Sequence, residues 1–125
     1  MTRRSPGFTL VELLVVLAII ALLLSIAVPR YYGSLDKSKE TVLKENLFQL
    51  RDAIDKYHAD KGKYPESLES LAADKYLRSV PLDPITDSTA TWIILPPADP
   101  QKSGVYDVRS GAPGRARDGT EYSQW

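Results

Sequence analysis

Gly7-Phe8-Thr9-Leu10-Val11-Glu12 opens an apolar run that continues to Val28, and the reading of this stretch decides the fold. From Phe8 the run is FTLVELLVVLAIIALLLSIAV, twenty-one residues with Glu12 as its one charge. At about 1.5 Å per residue such a helix is roughly 32 Å long, enough to cross a hydrocarbon core of about 30 Å. A helix satisfies its own backbone in lipid, which a single segment of any other kind cannot do. Arg3 and Arg4 precede the run and orient the short leader to the cytoplasmic side. The rest of the chain is then expected outside the cytoplasm.

Glu12 needs a reason, because a carboxylate within a membrane helix is costly, although less so near the interface. One reading places it shallow, reaching back to the headgroups. The other starts from the neighbours. Were the chain cut between Gly7 and Phe8, Phe8 would carry a new α-amino group and Glu12 would be the fifth residue of the mature chain. A carboxylate there could neutralise the amine of a neighbouring subunit in a filament, where both are away from water.

Glycine, phenylalanine, a spaced glutamate and an unbroken apolar helix resemble the class III signal of type IV pilins and pseudopilins. The resemblance implies that a prepilin peptidase cuts after Gly7, that Phe8 is then N-methylated, and that Glu12 supports assembly. A rival secretory reading uses Leu13 to Leu24 as an apolar signal core and Ser25-Ile26-Ala27 as a small-x-small cut site. The mature chain would then begin at Val28. The apolar character starting before Glu12, and Pro29 beside the cut, both speak against it.

The length of 125 residues suits one small domain plus a membrane segment. A formal net charge of zero gives no argument for a nucleic-acid partner. The chain has no cysteine, so an extracytoplasmic domain of this size must rely on packing, assembly or a bound ion. Many type IV pilins close a C-terminal loop with a disulfide; this chain cannot, which favours a pseudopilin.

Pro29 removes the amide that would bond the carbonyl of Ser25, so a kink is expected there, with Gly33 loosening the same region. The resemblance adds local melting at this place in filaments. Helix is expected to resume and run to about Asp60. Leu43, Leu47, Leu50, Ile54 and Tyr57 recur at steps of four and three and form one apolar stripe that faces the following domain. Gly62 suits the position just past the helix end, and Lys61 the negative end of its dipole. His58, the only histidine, has no cysteine or second histidine with which to share a metal.

After the break at Gly62-Lys63-Tyr64-Pro65, Ser67 to Ala73 reads as a short helix with Glu66 or Ser67 near its start. Val80-Pro81-Leu82-Asp83-Pro84 is an extended connector, because two prolines exclude a central strand. The K-Y-P segment with Ser67-Leu68, then Tyr76-Leu77, then V-P-x-D-P, is similar to the major pseudopilin of type II secretion systems. Thr91 to Leu95 and Val105 to Arg109 are expected strands, the second with Tyr106 and Val108 on one face, joined as an antiparallel hairpin by residues 96–104. A third short strand is expected near Glu121-Tyr122-Ser123.

From Ser110 onward the glycines read as turns that return Trp125 for packing. The resembled pseudopilins bind calcium in this region through aspartates and carbonyls. Here Asp118, Glu121 and Ser110 are the candidates, although the closely spaced later aspartates of that loop are missing and calcium needs six to eight oxygens.

The expected architecture is α+β and pilin-like: a long N-terminal helix packed on a small antiparallel sheet. Residues 1–7 are the leader, 8–28 the transmembrane or filament-core helix, 29–61 its amphipathic continuation, and 62–125 a periplasmic globular domain. The expected role is structural and not enzymatic, as a filament subunit of a type II secretion pseudopilus that moves folded proteins. The expected partners are further copies of the chain, minor pseudopilins, the inner-membrane assembly platform, the prepilin peptidase and lipid, with no nucleic acid. The alternatives are a type IV pilin for adhesion, motility or DNA uptake, and a periplasmic binding module with a cleaved signal.

Overall fold

The computed structural model describes residues 7–125, so Arg3, Arg4 and most of the expected leader lie outside the described residues. Helix α1 spans Leu10–Lys61, 52 residues, and includes Pro29. The chain divides into two compact units, the first ending at Leu35 and the second spanning Asp36–Trp125.

In the first unit every apolar side chain from Phe8 to Val28 is exposed, Phe8 to 82% and Leu10 to 74%. The run is one helix long and apolar enough to cross a membrane, and among the described residues nothing covers it. So long an apolar surface requires lipid or other subunits to cover it. α1 stays helical on both sides of Pro29, and no break in the helix accompanies the proline.

The second unit is built on the stripe read from the sequence. Leu43, Leu47, Leu50, Ile54 and Tyr57 are all buried, joined by Ala53. They pack against Leu68 and Leu71 of α2 (Leu68–Ala73) and against Trp92, Val105, Val108, Ala112 and Tyr122. α1 ends where Gly62 turns to φ 70° and donates its amide to the carbonyl of His58 at 2.8 Å. That left-handed residue past the last turn is what glycine supplies at low cost. His58 stacks on Tyr64 with ring centroids 4.3 Å apart. Ser67 is the N-cap of α2 and accepts from the amide of Ser70 at 3.2 Å.

The sheet has two antiparallel strands, β1 (Ile93–Leu95) and β2 (Asp107–Arg109), paired Ile93↔Arg109, Ile94↔Val108 and Leu95↔Asp107. Both are shorter than the sequence suggested, and the ends they lose are held elsewhere. The hydroxyls of Thr91 and Thr86 meet at 2.6 Å, and the indole of Trp92 donates to the carbonyl of Pro81 at 2.8 Å. The amide of Val105 donates to Pro65 at 2.8 Å. The expected shared face of Tyr106 and Val108 is also corrected: Val108 is fully buried while Tyr106 is 52% exposed, and Val105 enters the core instead. Arg51 ties α1 to β2, donating to Asp107 Oδ1 at 3.0 Å and to the carbonyl of Val108 at 2.9 Å.

The expected third strand is a one-turn 3-10 helix, Tyr122–Gln124. Only a single bridge, Arg115↔Glu121, has strand character there. Gly114 and Gly119, both at positive φ, turn the segment too tightly for a ladder.

Candidate functional site

Two polar features stand apart from ordinary packing. The first is the N-terminus of α1. Thr9 accepts the amide of Glu12 on its hydroxyl at 3.1 Å, and the amide of Thr9 donates to Glu12 Oε2 at 3.1 Å. This reciprocal pair is a capping box, which satisfies two donors otherwise orphaned at a helix start. The T-x-x-E spacing of Thr9 and Glu12 is the sequence signal of this cap, and it gives Glu12 a partner within its own chain. Among the described residues, Glu12 Oε1 has no hydrogen-bond partner, so one carboxylate oxygen stays available. Gly7 is exposed, and an added Cβ there would meet nothing within 4 Å. The fold of the chain therefore does not itself require glycine at position 7.

The second feature is the C-terminal segment and what holds it. Glu40 of α1 accepts on one oxygen from the amide of Arg117 at 2.8 Å and from the Tyr122 hydroxyl at 3.0 Å. Burial, and then the Glu40 carboxylate, push the Tyr122 phenol up to about 12. Lys44 lies over the Trp125 ring at 4.7 Å, and the Trp125 indole donates to Thr120 at 2.8 Å. The segment is thus tied to the helix through the side chains of Glu40 and Lys44.

The three calcium candidates are not brought together. Ser110 is fully buried and donates to Asp83 Oδ2 at 2.6 Å. Asp118 accepts on Oδ1 from the Thr120 hydroxyl at 2.6 Å and the Thr120 amide at 3.0 Å, and those bonds hold its carboxyl below the usual range. Glu121 faces Arg115 at 3.7 Å. No group of three or more metal-ligating side chains exists among the described residues. A calcium shell of six to eight oxygens does not fit this arrangement.

Asp83 was read only as part of a proline-rich connector, yet it is a hub. It is fully buried, accepts from the amides of Ile85 and Thr86 on Oδ1 at 2.9 and 3.4 Å, and accepts from Ser110 on Oδ2. Aspartate followed by proline is the turn-forming signal that could have marked it.

Comparison with known proteins bears on both features. Residues 2–28 match the family model described as the prokaryotic N-terminal methylation motif. A protein named type II secretion system core protein G from Klebsiella michiganensis is 33% identical over 101 residues, spanning 67% of this chain and 71% of that relative. Its namesake in Escherichia coli K12 is 29% identical, spanning 90% of this chain and 84% of the relative. That of Vibrio cholerae is 27% identical, spanning 98% and 93%. No solved structure matches the chain.

Proposed function

The chain belongs to the type II secretion system core protein G family, and from that premise we propose how its residues serve a pseudopilus, the filament of which it is a structural subunit. A prepilin peptidase removes the leader after Gly7, and the new amine of Phe8 is methylated. The run 8–28 holds the chain in the inner membrane as a single pass, with residues 62–125 on the periplasmic side. On assembly the same run passes from lipid into the filament core, where other copies cover it. Residues 29–61 carry the helix into the domain, and Pro29 is the place where it loosens as subunits stagger. Minor pseudopilins and the inner-membrane platform are the further partners, and a cytoplasmic ATPase supplies the energy for moving folded proteins.

The observation that carries this reading is an apolar run, exposed from Phe8 to Val28, with one carboxylate held at its start. Inside a filament the available oxygen of Glu12 takes the Phe8 amine of a neighbour, so that neither charge is buried alone. Mass spectrometry of the native N-terminus tests the processing step. The expected species begins at N-methylated Phe8, and a species beginning at Val28 would refute it. Sheared filaments recovered from cells expressing the chain test the assembly step, and their absence would refute that.

A further inference from the structure

A filament grows through contacts between unlike patches, because like-to-like contacts close into dimers. The unit Asp36–Trp125 carries two unlike patches that suit one another. Phe48 of α1 is 65% exposed, although it lies on the same helix as the buried stripe. Lys44 sits one turn earlier, with its ammonium over the Trp125 ring beside Phe48, and residues four apart share a helix face. The second patch is a cleft of about 220 Å³ between the start of α2 and β1. Leu68, Trp92, Ile94 and Val105 supply its apolar lining, and Ile94 remains 42% exposed there. Glu66 and Glu69 are the charged residues that line it, and neither has a partner among the described residues. Glu66 also borders a second hollow with Lys63 and Lys102, which leaves Glu69 as the more open acceptor.

We propose that the Phe48 ring of one copy seats in the α2/β1 cleft of a second copy, with Lys44 of the first against Glu69 and Glu66 of the second. Size and charge both carry this assignment. A cavity of about 150 Å³ already accepts a benzene-sized guest. The cleft opens onto carboxylates, and the ring is accompanied by an ammonium. The docking rests on the filament role proposed above and adds the side chains through which the domains meet.

The chain has no cysteine, so engineered thiols report without background. Asp52→Cys, one turn beyond Phe48, is placed in one copy and Ala90→Cys, at the cleft rim, in another. The two are co-expressed and oxidised in membranes and in sheared filaments. The expected product is the mixed dimer, with neither variant cross-linking to itself. Adding Phe48→Ala to the Asp52→Cys copy abolishes the dimer without moving Tm, since the ring is exposed. Adding Lys44→Glu lowers the dimer yield, and Glu69→Lys in the other copy restores it. Self-cross-linking, a mixed dimer that survives Phe48→Ala, or filaments without the mixed dimer would each overturn the docking while leaving the filament role standing. An unaltered chain that gives no sheared filaments would overturn the filament role and the docking with it.

Discussion

Replacing Glu12 by Gln and by Ala separates two roles that one side chain holds. In the chain itself Glu12 closes the capping box through two bonds of 3.1 Å. Glutamine closes the same box, because its amide oxygen still accepts from Thr9. Glu12→Gln should therefore leave the helix start intact, and its insertion should be no worse, since a charge has left the apolar run. Alanine loses the bond from the Thr9 amide, worth about 0.5–1.5 kcal/mol. In the filament the two variants share a larger defect, an unpaired Phe8 amine. Removing one partner of a buried pair costs about 3–5 kcal/mol, a roughly hundred- to several-thousand-fold loss in association at each contact. The assay compares processed protein with sheared filaments for the parent and both variants. The expected result is normal processing and lost filaments for both. Normal filaments from Glu12→Gln with lost filaments from Glu12→Ala would show that the cap alone matters, and would refute the pairing.

Three further outcomes follow from the second unit. Asp83→Asn replaces one acceptor of a buried cluster with a donor and should cost about 1.5–3 kcal/mol, a fall in Tm of roughly 6–24 °C by circular dichroism in detergent. Tyr122 has its phenol raised above the unfolded value of about 10, so its contribution is complete below pH 10 and is lost as pH rises toward about 12. Tm of the parent should fall across that window more steeply than that of Tyr122→Phe, and parallel curves would refute the role of the phenol. Calcium or a chelator should leave Tm unchanged, because Asp118 and Glu121 are engaged locally and Ser110 is buried; a rise with calcium would show a site that the side chains do not reveal.

The long-range order of the fold was legible where periodicity carried it. Leu43 to Tyr57 announced a buried stripe, Gly62 its end and Ser67 the next start, because each depends on its own few neighbours. The strands were legible in place but not in length. Thr91 and Val105 have good strand character, yet Thr86 and Pro65 hold them from outside the sheet. Glu121 to Ser123 misled for a related reason, since the turns at Gly114 and Gly119 decide that segment rather than local propensity. At the candidate site, Gly7, Phe8 and Glu12 stand out by their order, and the T-x-x-E spacing marks the Thr9 cap. Glu40 was not legible, because its partners lie 77 and 82 residues further along and nothing around it marks a distant role.

That separation has a consequence for biogenesis. The clasp on Glu40 has high contact order, and loops of this length close slowly compared with helix formation. During synthesis the helix and its stripe emerge first, while Arg117 and Tyr122 follow 77 and 82 residues later. Until they arrive, the core lacks Ala116 and Tyr122, which are buried in it in the complete fold. A prematurely terminated chain would display a bare stripe of the kind that proteases and holding chaperones recognise. Only chains synthesised through Tyr122 can close both bonds of the clasp on Glu40.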